Sequence, residues 1–104
     1  METTSTEFIK VYDYLYNFNE LNSNDITLLS FIITEIEDKK DFFYTDEEIT
    51  KHFNNILGGN RMISRIIKKL KDNDFIITER VTIEFIEYKS GNRRLITLGS
   101  KLNK

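Results

Sequence analysis

The 104-residue chain contains no cysteine, proline, tryptophan, alanine or glutamine. Without cysteine, neither a disulfide framework nor a thiolate metal site can form. With a single histidine, a zinc site would have to rest mainly on carboxylates, so no metal is expected. No nucleophile with a neighbouring base and no cofactor-binding loop can be recognised, which predicts a non-enzyme without a cofactor.

Long apolar runs are also missing. Residues 1–30 show no basic segment followed by an apolar one, and no stretch of 18 apolar residues occurs, so we expect a soluble cytoplasmic protein without a membrane partner. The length predicts one domain over residues 1–104, in which the polar residues 1–6 are flexible. The abundance of isoleucine, asparagine, lysine and phenylalanine indicates an AT-rich coding sequence, as in a low-GC bacterium or its plasmids and phages.

Charge is distributed unevenly along the chain, although the net charge is only −2. Residues 1–60 contain 4 Lys and Arg against 12 Asp and Glu, whereas residues 61–104 contain 11 against 5. A basic surface on an acidic body is compatible with nucleic-acid binding, but an uneven solvated surface would give the same counts.

The stretch NRMISRIIKKL, residues 60–70, has the strongest helical periodicity. One face carries the apolar residues Ile63, Ile66, Ile67 and Leu70. The other face carries the polar residues Arg61, Ser64, Arg65, Lys68 and Lys69. Arginine can read guanine edges in the DNA major groove and lysine can hold phosphates, but an ordinary solvated amphipathic helix has the same pattern.

Two helices are predicted before this stretch. Residues 8–18 have near-helical apolar spacing on more than one side, so this helix either wraps the core or, with Phe8 and Phe18 at its ends, pairs with a second copy. Ser23 is a candidate N-cap for a central core helix over residues 24–37. The β-branched content of that run would suit a strand too, but its length favours a helix.

The middle of the chain predicts short elements. Residues 41–45 form a candidate strand, and Thr45 with Glu48 forms a capping box, which explains the acidic run 46–48 better than a metal or acid–base cluster does. We expect Ile49 and Phe53 to point inward and His52 to lie at the surface or the rim. In residues 54–60, Ile56 and Leu57 would fill the core, the glycines would adopt left-handed turns, and Asn60 would cap the next helix.

The C-terminal part predicts a hairpin. Asn73 is a candidate left-handed helix cap, and alternating residues up to Tyr88 form a strand that turns at residues 89–92 into a second strand. Three cations would gather at the tip: Lys89, Arg93 and Arg94. They would meet a phosphate backbone or a minor groove, although exposed tips are often charged merely for solubility.

The order of these elements resembles that of winged helix-turn-helix DNA-binding domains. TDEEITKHF is similar to their first motif helix, GGNRMISRIIKKLKDNDFI to their recognition helix and its exit, and LITLGSKL to the second wing strand. The likeness covers roughly residues 45–100, and FIKVYDYLY more faintly resembles the opening of plasmid and phage replication-initiator domains. It implies a mainly α fold with a small β-hairpin (α+β): N-terminal helices in 8–37, a helix-turn-helix in 46–73 and a wing in 75–98.

The resemblance also implies site residues. The candidate base readers are Asn60, Arg61, Ser64 and Arg65, the backbone contacts Lys68 and Lys69, and the wing contacts Lys89, Arg93 and Arg94. It implies a sequence-specific binder of double-stranded DNA, as a homodimer, that serves transcription regulation, replication or partition of a plasmid or phage. The alternative is a non-catalytic adaptor on the same scaffold that binds a protein of the same mobile element.

Overall fold

The computed structural model describes residues 11–39, 41–83 and 91–102. After a 3-10 helix at Asp13–Asn17 come three α-helices and one hairpin: α1 (Ser23–Lys39), α2 (Asp46–His52), α3 (Asn60–Asp72), β1 (Ile76–Ile83) and β2 (Gly91–Leu98). The chain is mainly helical with a two-stranded antiparallel sheet, in a winged-helix layout. This confirms the fold class predicted from the sequence.

Helix α1 forms the centre of the core. Ile26, Leu28, Leu29 and Phe31 are buried on different sides of it, as expected for a helix that is apolar around most of its circumference. The prediction of Ser23 as the N-cap was wrong. Asn22 occupies that position, because its side chain accepts from the Asp25 N–H at 2.9 Å while the Asp25 carboxylate accepts from the Asn22 N–H at 3.0 Å.

The segment before α1 differs from the predicted helix over residues 8–18. Within its described part, residues 11–18, only the short 3-10 helix forms, and Tyr12 before it is extended. Aromatic and β-branched residues have weak helix propensity, and the Tyr12 N–H donates to the Ser30 hydroxyl of α1 at 3.1 Å instead of to a helical carbonyl. Leu15 is the fully buried anchor of this segment.

Helix α2 begins with the predicted capping box. The Glu48 N–H donates to the Thr45 hydroxyl and the Thr45 N–H to the Glu48 carboxylate. Ile49 and Phe53 are buried and His52 is exposed, as predicted. The preceding segment, 41–45, is not a strand. It lies along the edge of β2, where the Ile96 N–H donates to the Phe42 carbonyl at 3.0 Å.

The turn between α2 and α3 corrects three predictions. Leu57 enters the core, but Ile56 is 69% exposed. The left-handed positions are Asn54, Asn55 and Gly58, whereas Gly59 is extended. Asn60 is already the first residue of α3, whose N-cap is Gly59 without a side-chain hydrogen bond.

The packed face of α3 is the predicted one: Ile63, Ile66, Ile67 and Leu70 are all buried. At its C-terminus Asn73 is not left-handed. Its amide donates to the Lys69 carbonyl at 2.9 Å, and Asp74 takes the positive φ of 67°. An aspartate tolerates this conformation because its short polar side chain can bond locally.

The predicted hairpin is present, with register Ile76↔Leu98 at its base and Ile83↔Gly91 at the last described pair. Successive side chains of a strand alternate between the two faces. Ile76 and Ile96 accordingly lie in the core, whereas Ile77 is exposed. The predicted continuation of the first strand to Tyr88 lies outside the described residues.

The first testable prediction concerns Gly99, just after β2. Its N–H donates to the Phe75 carbonyl at 2.8 Å, and a Cβ placed on it would overlap the Asp74 carbonyl. We expect Gly99→Ala to lower the free energy of unfolding by about 1–3 kcal/mol, measured by urea unfolding. Gly59→Ser is the control. A Cβ there meets nothing within 4 Å, and serine is a good N-cap, so stability should stay equal or rise. Equal stability of both variants would contradict the overlap.

Candidate nucleic-acid interface

The outer face of α3 is its solvent side, opposite the buried isoleucines. Arg61 and Arg65 lie one turn apart on it and are exposed, as are Asn60 and Ser64. The sequence forces this arrangement because, at 3.6 residues per turn, its apolar residues and its cationic residues fall on opposite sides of the helix. Among the described residues neither arginine forms an ion pair. Both guanidinium groups are therefore available to a ligand.

Lys68 continues this surface toward the C-terminus of α3. Its ammonium forms an ion pair with Asp72 at 2.8 Å, one turn further along the helix. The hydrogen bond to Asp72, and then its charge, raise the pKa of Lys68, so the ammonium stays protonated at neutral pH. The pair is solvent-exposed and contributes little to stability, so an anion can replace the carboxylate.

Lys69 does not belong to this surface, and its predicted placement among the outward cations was wrong. Its ammonium forms an ion pair with Asp25 of α1, whose side chain is 2% exposed. A buried carboxylate requires a compensating cation, and Lys69 provides it across the α1–α3 contact. Lys69 thus anchors α3 to the core helix.

Arg93 and Arg94 also differ from the prediction of free cations at a hairpin tip. Both lie within β2, and their side chains are only 19% and 20% exposed. Arg94 binds the Asp46 carboxylate at 2.8 Å and the Tyr44 carbonyl at 2.9 Å. Arg93 approaches Glu48 at 3.4 Å and the Phe43 carbonyl at 3.5 Å.

The physical reason is the position of α2. Its N-terminal acids and the carbonyls of segment 41–45 lie beside β2, so the nearest acceptors for both guanidinium groups are within the protein. Lys89, the remaining wing residue predicted from the sequence, lies outside the described residues.

The structure adds a feature that the sequence reasoning missed, a cleft of about 280 Å³ between α3 and the hairpin. We call it the α3–β1 cleft. It is lined by Ser64, Ile67, Lys68, Lys71, Asp72, Thr78 and Arg94. The spacing of Ser64, Lys68 and Lys71 at i, i+4 and i+7 could have indicated a common helix face. The opposing Thr78 could not have been placed without the hairpin.

Other chemistry is not visible in the described part of the chain. No group of three or more histidine and carboxylate side chains there could hold a metal ion. No helix in those ranges has the length and apolar character needed to cross a membrane. Comparison of the chain with protein-family models, curated proteins and solved structures found no match.

The second prediction tests the different environments of the neighbouring residues Lys69 and Lys68. Lys69→Met leaves the buried Asp25 without its cation, and we expect it to lower the free energy of unfolding by about 2 kcal/mol or more. Lys68→Met removes a solvent-exposed pair and should leave the free energy of unfolding nearly unchanged. Urea titrations measure the free energy of unfolding of both variants. An equal decrease in the two would contradict the anchoring role of Lys69.

Proposed function

We propose that the protein binds double-stranded DNA sequence-specifically through the outer face of α3. The observation that carries the proposal is a row of exposed cations, Arg61, Arg65 and Lys68, on a helix whose opposite face is fully packed. A helix held in this way presents its side chains in a fixed orientation, which base recognition requires.

The dimensions support this proposal. A helix with its side chains is about 10–12 Å across, and the major groove is about 12 Å wide. Residues in the first turns of such a helix reach base edges, which assigns base reading to Asn60, Arg61 and Arg65. Arg93 and Arg94 are left out of the interface, because α2 already holds their guanidinium groups.

The biological role that fits is regulation of transcription, or DNA binding in replication or partition of a plasmid or phage. As a homodimer the protein would place its two α3 helices about 34–36 Å apart on successive turns of one duplex face.

The third prediction tests base reading by Arg65. A cognate duplex is first selected from a random pool by mobility shift, and binding is then titrated over a salt series. We expect Arg65→Ala to weaken cognate binding by about 1–3 kcal/mol and random binding much less. Lys51→Met, which removes an exposed cation at the end of α2, should change neither.

Two outcomes would count against these assignments. Equal losses for Arg65→Ala on cognate and random duplexes would remove Arg65 from the base readers. Absence of retardation of the wild-type protein at any salt would overturn DNA binding itself and favour the second candidate.

The second candidate is a protein-binding adaptor on the same scaffold. Two observations favour it: the wing arginines are occupied within the protein, and Tyr14 and Tyr16 expose 45% and 59% of their surfaces. Tyrosine supplies a large contact area with a polar end, as protein interfaces commonly use.

The same tyrosines motivate the proposed homodimer. The fourth prediction is that the double variant Tyr14→Ser, Tyr16→Ser shifts the mass measured by sedimentation equilibrium from dimer to monomer. Exposed positions tolerate serine, so the thermal melt of the monomer should still show a cooperative transition. An Ile56→Ser variant, which changes another exposed apolar residue, is the control and should remain dimeric. An unchanged mass for the tyrosine variant would exclude this segment as the interface.

A further inference from the structure

The α3–β1 cleft has the composition of a phosphate site. Its α3 wall carries Ser64, Lys68 and Lys71, and its β1 wall carries the half-buried Thr78. The buried Ile67 also lines the cleft. Two hydroxyl-bearing side chains and two lysine side chains therefore border an open space large enough for a tetrahedral anion.

The charge of the cleft is positive. Its lining contains three cations, Lys68, Lys71 and Arg94, against a single carboxylate, Asp72. Arg94 is already paired with Asp46, which does not line the cleft, so the two lysines supply the excess charge. Among the described residues the Asp72 carboxylate pairs only with Lys68, and this pair is exposed. Within the described residues the Lys71 ammonium has no ion-pair partner. An anion entering the cleft would meet the unpaired Lys71 and could share Lys68 with Asp72.

We propose that the α3–β1 cleft holds a backbone phosphate of the DNA strand that flanks α3, and this inference rests on the DNA binding proposed above. Lys71 supplies the charge, and Thr78 and Ser64 supply neutral hydroxyl donors. Ser64 is thereby reassigned from base reading to backbone contact. Lys71 and Thr78 become interface residues that the sequence did not indicate.

The position of the cleft favours a phosphodiester of a duplex over a free anion. A helix in the major groove fills it from side to side, so the sugar–phosphate strands run along its flanks. The hairpin lies beside one flank of α3, and Thr78 on β1 faces that flank across the cleft. A strand passing there is held from the helix and from the sheet at once. Such contacts fix the register of the helix on the duplex without reading sequence.

The fifth prediction separates charge from hydrogen bonding. We expect Lys71→Met to reduce the slope of log K against log salt by about one unit, because one fewer counterion is released. Thr78→Val keeps size and β-branching but removes the hydroxyl, so affinity should fall about tenfold with the slope unchanged. Ser64→Ala should weaken cognate and random duplexes by the same factor. Lys51→Met is again the matched control, with slope and affinity unchanged.

A neutral methylphosphonate linkage locates the contact. It is placed in turn along each strand of the selected duplex. Each half-site should contain one position at which the linkage weakens wild-type binding and at which Thr78→Val causes no further loss. If the wild type binds but Lys71→Met and Thr78→Val behave like Lys51→Met, the phosphate site is overturned and α3 binding stands. If Ser64→Ala changes the preference between cognate and random duplexes, its reassignment is wrong. If the wild type binds no duplex, the proposed function fails and the phosphate site fails with it.

Discussion

The burial of the apolar stripe of α3 is the constraint on which the rest of the molecule depends. Burying an isoleucine or leucine side chain contributes about 1.5–3 kcal/mol, and four of them lie on this stripe. Rotating α3 to present another face would forfeit several of these contributions, more than exposed charge pairs could offset. The cationic side therefore faces outward whatever it binds. The Lys69–Asp25 pair adds a specific tie to α1 at one place on the same contact.

The acidic first part and the basic second part of the sequence neutralise each other in part through ion pairs within the fold. Acids of the N-terminal part pair with cations of the C-terminal part at Asp25–Lys69, Asp46–Arg94, Glu48–Arg93 and Glu20–Lys101. Adjacent strand residues point to opposite faces, so Arg93 and Arg94 reach segment 43–48 from the two sides of β2. The Asp46–Arg94 and Glu48–Arg93 pairs hold the hairpin against the start of α2. Much of the basic excess after residue 60 therefore stabilises the fold and leaves fewer cations for a ligand.

The periodic parts of the structure could be predicted from the sequence, and the tertiary contacts could not. The stripe of α3, the Thr45–Glu48 capping box and the hairpin are encoded by spacings of a few residues, which fix local geometry directly. The roles of Lys69 and Arg94 depend on acids 44 and 48 residues away, and no local pattern indicates them. Segment 41–45 has strand-like composition, but within the described residues its one backbone–backbone hydrogen bond to β2 runs from Ile96 to Phe42, a long-range contact that composition does not indicate. The α3–β1 cleft likewise required the hairpin to be placed.

The exposed cations of α3 decide what the helix can recognise, and Lys68 alone among them is held by an exposed pair, with Asp72. Arg61, Arg65, Lys68 and Lys71 follow one another at intervals of four, three and three residues, so they form one row along the helix. With a rise of 1.5 Å per residue, the row spans about 15 Å and places a cation roughly every 5 Å. Its N-terminal arginines suit base edges, where bidentate geometry discriminates, and its C-terminal lysines suit phosphates, which need only a point charge. The order of residue types along α3 thus favours base recognition by its N-terminal half and phosphate binding by its C-terminal half.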